Sequence, residues 1–291
     1  MIRSLNWVSA LLLLLASQAG AQSDDPRPSM TRVYRVIDKD SLRAHVFLPP
    51  DHKADAPAAA ILLFHGGGWS SGSPEWTFAA ASRFASWGLV AIAIEYRLSE
   101  GEVTPLDALS DVCAAFEWTR AHAGELGSSG RVAGYGVSAG GHLVACTATV
   151  GCSADSLGDQ PAGPDALLLW SPALDLQDDV WFGKLLRGRA TAADLSPARH
   201  VGPSTPPTSI VHGEQDTLTP LAGVKRYCEA LAARGRSCDL HVYPGVGHLL
   251  TRNLANQESD YDPDPKARAD GIAMQRAFLE SHGFIATPAG R

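Results

Sequence analysis

The chain has no basic tract. Lys and Arg total 24 against 31 Asp and Glu, a formal charge of −7. The cations are scattered, so nothing supplies the run of positive charge that neutralises nucleic-acid phosphates. Charged residues are sparse, 19% against about a quarter in ordinary domains. Apolar content is ordinary at 45%, so a packed core is feasible and a disordered chain is not expected. The five cysteines include no C-x-x-C or Cys/His cluster with zinc-ligand spacing, so no metal site is expected. Gly and Pro are dispersed and no heptad persists, which removes collagenous and coiled-coil readings. Past the N-terminus no apolar run is long enough to cross a bilayer, so stable membrane insertion is not expected.

What is present begins with a short positive start, Met1-Ile2-Arg3, then an apolar stretch from Val8 to Ala16 holding Leu11 to Leu15, then Ala19-Gly20-Ala21. This is the layout of a secretory signal peptide with a small-x-small cleavage site, expected over residues 1–21. No Cys follows it to carry a lipid anchor. Residues 22–291 then form the mature chain, secreted or periplasmic. An oxidising compartment permits disulfides. Cys228–Cys238 is the favoured pair, tying a helix to the strand after it, with Cys146–Cys152 a second guess. Cys113 reads as a buried inert thiol in a helix.

Strand-length apolar runs alternate with helical patterns. Strands are expected at Arg32–Ile37, Leu42–Leu48, Ala59–Phe64, Leu89–Tyr96, Arg131–Gly136, Ala166–Trp170, Thr208–His212 and Cys238–Tyr243. Helices are expected at Glu75–Trp87, Leu106–His122, Ala139–Val150, Leu221–Arg234 and Pro265–Ser281. This order implies one α/β domain with a mostly parallel sheet covered on both faces, and an antiparallel pair at its start. Residues 174–207, with a helix-like piece near Trp181–Leu186, are the candidate for a small cap.

Three loops carry chemistry. Gly136-Val137-Ser138-Ala139-Gly140 sits between a strand and an apolar helix. A serine on such a sharp turn exposes its hydroxyl, and flanking glycines remove colliding side chains. His65-Gly66-Gly67-Gly68-Trp69 follows a strand and can turn bare N–H groups toward a developing oxyanion. Each such donor is typically worth about 3 kcal/mol of barrier. Gly67, Gly68 and Ala139 are the expected donors, and His65 is expected to hold the loop in shape. Trp69 and Trp76 flank this loop; Trp69 is the candidate substrate contact, while packing serves Trp76 equally well. A serine needs a base oriented by a carboxylate. His248, in a loop after the last strand, is preferred to His241, His212 and His142. Asp216 is preferred to Glu214 in the loop after Thr208–His212.

The chain order Ser138, Asp216, His248 and the stretches HGGGW (65–69), EYRL (95–98), GYGVSAGGHL (134–143), HGEQDTLTP (212–220) and YPGVGH (243–248) resemble the α/β-hydrolase superfamily, and within it acetyl-esterase-like and hormone-sensitive-lipase-like esterases. The resemblance implies an α/β-hydrolase fold with a short cap, Ser138 as nucleophile, Asp216 as orienting acid and His248 as base. It implies an oxyanion hole at Gly67, Gly68 and Ala139, and no cofactor. Val137 stands where lipase-like members usually carry Asp, and only a short segment precedes HGGGW. Both points favour the open acetyl-esterase-like branch, acting on small esters or acylated carbohydrates. Alternatives are an amide or peptide hydrolase, such as a kynurenine-formamidase-like enzyme, and a non-catalytic binding protein on the same fold.

Overall fold

The alternation of apolar runs and helices folds into one eight-stranded sheet, β1 (Met30–Ile37), β2 (Asp40–Phe47), β3 (Ala58–Phe64), β4 (Val90–Ile94), β5 (Ser128–Val137), β6 (Ala166–Trp170), β7 (Thr208–Gly213) and β8 (Cys238–Tyr243). The structure is a computed structural model that describes residues 26–53, 55–152 and 163–287. The expected signal peptide, residues 1–21, lies outside the described residues. The strand order is β1-β2-β4-β3-β5-β6-β7-β8. β1 pairs antiparallel with β2 and β2 with β4, and every other pairing is parallel. The expected mostly parallel sheet with an antiparallel start is therefore present.

Helices cover both faces: α1 (Phe78–Ser86), α2 (Pro105–Ala121), α3 (Ala139–Thr149), α4 (Val180–Leu185), α5 (Leu221–Ala232) and α6 (Pro265–Ser281). Successive residues of a strand point to opposite faces, and β3 divides its apolar side chains accordingly. Ala60, Leu62 and Phe64 join Phe116 of α2 and Leu143 of α3 in one core. Ile61 and Leu63 join Phe84 of α1 and Phe278 of α6 in the other. Thr104 caps α2, its N–H and hydroxyl both donating to Asp107 (2.8 and 2.9 Å). Asp111, fully buried on α2, accepts Arg35 Nη1 from β1 and Arg97 Nε from just beyond β4, each at 2.8 Å. Helix α2 is thereby tied to two strands, and the Arg of the EYRL stretch has a structural use.

Two disulfides form, Cys113–Cys152 and Cys228–Cys238. The second ties α5 to β8 as expected. The first corrects both the Cys146–Cys152 guess and the view of Cys113 as a free thiol. Cys113 is joined across to Cys152, just beyond the end of α3. Cys146 is turned into the core, with Sγ 3.3 Å from His142 Nε2. Burial pushes its thiol well up, so it stays a protonated packing group.

Candidate active site

β5 ends at Val137 and α3 begins at Ala139, so Ser138 takes the whole reversal, with φ 52° and ψ −117°. That conformation is unfavourable for a residue with a Cβ. It is held by the Ser138 N–H donating to Trp170 O of β6 (2.9 Å) and the His142 N–H donating to Ser138 O (3.0 Å). The turn is so tight that a Cβ on Gly136 would strike the backbone of Gly140 and Gly141. Ser138 is consequently presented half-exposed at the strand ends.

The residues expected to act with it converge there. His248 Nε2 lies 3.1 Å from Ser138 Oγ, and His248 Nδ1 lies 2.8 Å from Asp216 Oδ2. A carboxylate only accepts, so Nδ1 carries the proton and Nε2 turns its lone pair to the serine hydroxyl. Asp216 is buried, which alone would raise its pKa. The bond and charge of His248, with the Thr219 N–H, outweigh that, and the carboxyl is held below its ordinary value. Its Oδ1 accepts the N–H groups of Leu218 (3.0 Å) and Thr219 (2.8 Å), and Oδ2 also accepts the Thr219 hydroxyl (2.8 Å). Glu214, the rejected alternative, is exposed.

On the other side of Ser138, the glycine loop lies against the turn: a Cβ on Gly66 would stand 3.2 Å from Ser138 Cβ. Gly67 (φ 112°), Gly68 (φ 57°) and Trp69 (φ 64°) are three left-handed residues in succession. A Cβ on Gly67 would collide with Ser71 O, so glycine is required there. Among the described residues no backbone carbonyl accepts from the N–H of Gly67 or Gly68. Ala139, in the first turn of α3, has no intrahelical acceptor for its own N–H. His65 supports the loop as expected. Its ring stacks on Tyr96 at 4.3 Å, its Nδ1 donates to Gly66 O (2.6 Å), and the Tyr96 hydroxyl donates to His65 O (2.8 Å). Burial lowers the His65 pKa, leaving the ring neutral.

This geometry coincides with a family match: a model described as alpha/beta hydrolase fold covers residues 61–252. The chain belongs to the alpha/beta hydrolase fold family. It is 28% identical over 214 residues to Esterase LipC of Mycobacterium tuberculosis, covering 66% of this chain and 53% of that protein. It is also 28% identical over 256 residues to Carboxylesterase NlhH of the same organism, covering 76% of each. Among solved structures it is similar to a thermophilic esterase, Est2, of the Planctomycetes species Thermogutta terrifontis with propionate bound. The TM-score is 0.77 and the identity 30%, over 89% of this chain and 96% of that one. The chain spans about half the length of LipC and of a second mycobacterial relative, the probable carboxylic ester hydrolase LipM.

Within this alpha/beta hydrolase the structure corrects one expected contact. Trp69 is only 5% exposed, and its indole N–H donates to His142 Nδ1 at 3.0 Å. The left-handed backbone turns the ring away from the mouth and down onto α3. The exposed indole beside the loop is Trp181 on α4, whose Nε1 would lie 3.9 Å from a Cβ on Gly68. Trp76 is also exposed and meets His65 edge-on.

Sequence reasoning missed Gln257 altogether. Its buried amide accepts the N–H groups of His248 (2.8 Å) and Thr217 (3.1 Å) and donates to Gln215 O (2.9 Å). It therefore clips the histidine loop to the acid loop. It lies in a stretch with no periodicity or motif, and no sequence signal marks it. His241 sits on β8 against Asp239 (3.0 Å). A cleft of about 850 Å³ runs beside His65, Tyr96 and Gly72–Pro74, and its walls include none of Ser138, Asp216 and His248. Among the described residues no cluster of His, Cys, Asp and Glu is placed to hold a metal, and no helix is long and apolar enough to cross a membrane.

Proposed function

We propose that the protein is a serine carboxylesterase that hydrolyses short-acyl esters. The observation that carries this reading is the hydrogen-bonded line Asp216–His248–Ser138 ending beside glycine N–H groups with no backbone acceptor. In the first half-reaction His248 Nε2 takes the Ser138 proton as Oγ attacks the ester carbonyl. The N–H groups of Gly67, Gly68 and Ala139 receive the charge on the carbonyl oxygen. Asp216 holds the Nδ1–H tautomer and stabilises the imidazolium. His248 then protonates the departing alcohol, leaving an acyl-serine. Water, deprotonated by His248, repeats the cycle and releases the acid.

Several features support a small acyl group with a projecting alcohol part. The similar Est2 esterase has been solved with propionate and with butyrate bound. The insert between β6 and β7 contributes one short α-helix, α4, and a 3₁₀ turn at Pro197–Arg199, and Trp181 on α4 is 55% exposed beside Gly68. An exposed indole offers a flat face for an aryl or sugar ring. Export to an oxidising compartment is supported by the leader-like N-terminus and by the two disulfides. The protein should hydrolyse p-nitrophenyl acetate with higher kcat/KM than the octanoate or longer esters. Acetylated xylan and feruloylated sugars would define the alcohol part. A protein inert toward every ester in that series, with a reactive amide substrate instead, would overturn the reading.

A further inference from the structure

The oxyanion-receiving loop poses a mechanical problem. Gly67 and Gly68 are the two residues with the greatest backbone freedom, and their N–H groups are useful only if held in one orientation. Next to them stands Trp69, a bulky residue in a left-handed conformation that it would leave if unrestrained. The restraint is visible. The Trp69 indole N–H donates to His142 Nδ1 (3.0 Å), and its ring packs on Phe182 with centroids 4.7 Å apart. The Trp69 carbonyl accepts the Ser99 N–H (2.8 Å).

His142 is itself fully specified. Accepting from Trp69 at Nδ1 places its proton on Nε2, which donates to Leu195 O at 2.7 Å. Its ring meets those of Trp69 (5.3 Å) and Phe182 (4.9 Å) edge-on. It is 1% exposed, and burial brings its pKa down to about 4, so the Nδ1 lone pair is available at neutral pH. It also sits one helical turn beyond Ser138 and donates its backbone N–H to the serine carbonyl (3.0 Å). One residue thus touches the serine turn through its backbone, and through its ring the glycine loop by way of Trp69 and the insert by way of Leu195 and Phe182.

We propose that His142 is a positioning residue that, through the Trp69 indole, sets the Gly67–Gly68 backbone in its oxyanion-binding conformation relative to Ser138. This rests on the ester-hydrolysis reading and deepens it. An interaction that aligns donors for the tetrahedral state acts on kcat and leaves ground-state binding nearly untouched. A residue that only fills the core would alter stability alone.

The test compares Trp69→Phe, His142→Leu and His142→Asn by thermal melting, by kcat and KM on p-nitrophenyl acetate, and by the Ki of a short alkyl trifluoromethyl ketone. That ketone adds to the serine, whose proton passes to His248, and the resulting alkoxide occupies the oxyanion position. Trp69→Phe removes the N–H and keeps a ring, and His142→Leu removes the acceptor. Each should lower kcat and raise the ketone Ki together, by about ten- to a hundredfold, with KM within about twofold. Asparagine places its Oδ1 near the Nδ1 position, so His142→Asn should recover most of both losses. Should Trp69→Phe fail to fold, the Leu/Asn pair carries the same comparison. Folded Trp69→Phe and His142→Leu proteins with wild-type kcat and Ki would overturn the proposal, as would equal losses in His142→Leu and His142→Asn. A wild-type protein that neither turns over the ester nor binds the ketone would instead overturn the esterase reading on which it stands.

Discussion

The two halves of the site are held by different means. On one side of Ser138, the acid and histidine loops are stitched by backbone-to-side-chain bonds. Asp216 alone accepts from Leu218, Thr219 and His248, Gln257 spans both loops, and Ser171 Oγ accepts the Leu249 N–H at 3.0 Å. On the other side, neither glycine N–H is bonded to the backbone among the described residues. Gly67 is held only through its carbonyl, which accepts the Ser70 and Ser71 N–H groups (3.2 and 3.0 Å) and the Ser71 hydroxyl (2.9 Å). The loop is pinned at its ends, by His65 with Tyr96 and by Trp69 with His142. The difference follows from what each half must do. The acid–histidine half carries charge and needs a fixed tautomer, so it benefits from many weak constraints. The glycine half must leave its N–H groups free for substrate, so its constraints are moved to the Gly67 carbonyl and to its flanks. Redundant bonding should tolerate single losses that end-pinning does not.

The largest test removes the junction between the halves. Ser138→Ala should abolish ester turnover, by about 100,000-fold or more in kcat, without lowering the melting temperature. Both supports survive it, since the Ser138 backbone bonds to Trp170 and His142 remain. Next in size is Asp216→Asn, which presents an amide to His248 and admits the wrong tautomer. A loss of about 1,000- to 10,000-fold in kcat is expected. A loss of only a few fold would mean that Asp216 is one stitch among many and that another group orients His248.

Much of this arrangement was legible in the sequence because it depends on local pattern. β6, β8 and α6 begin and end where periodicity and turn residues place them. The three chemical loops follow strands, where chain order alone brings them to one edge of a parallel sheet. What was not legible depends on rotation and on contacts distant in sequence. The expected helix over Glu75–Trp87 opens instead as a 3₁₀ turn at Pro74–Thr77 before α1. The polar start of β5, Ser128–Gly130, carries no hydrophobic signal, yet Ser128 pairs with Ala58. Trp69 adjoins the glycines in sequence but is rotated into the core by its positive φ. The Cys113–Cys152 pair reflects how α2 sits against α3, which no spacing rule encodes.

Acidification should separate the halves again, now through stability. Burial lowers the His142 pKa from 6.5 to about 4. Between those values the unfolded chain binds a proton at this residue and the folded chain does not. Stability is therefore fully present above about pH 6.5 and falls as pH drops toward 4, by at most about 3 kcal/mol from this group. His45, His65 and His212, also lowered by burial, act in the same direction. Asp216, whose pKa is held below 3.8, has its contribution withdrawn only at still lower pH. Melting temperatures across this range should decline for the wild type. The slope should be shallower in His142→Gln, which cannot titrate. An unchanged slope would assign the acid sensitivity to His45, His65 or His212.

The smallest effect probes the redundancy directly. Gln257→Leu withdraws the acceptor from the His248 and Thr217 N–H groups and the donor from Gln215 O. The His248–Asp216 bond and the Ser171–Leu249 link remain. Misalignment should therefore be slight, a kcat loss of about three- to tenfold, or about 1 kcal/mol. Ser171→Ala, which removes the other clip on the histidine loop, should cost a similar amount. If the two clips back each other up, the double variant should lose more than the product of the single losses, because only then is the loop free to swing. Simple multiplication would mean that each clip acts alone and that the stitched half is no more redundant than the pinned one. A Gln257→Leu loss as large as that of Trp69→Phe would point the same way, and the contrast between the two sides of Ser138 would then lie only in which atoms do the holding.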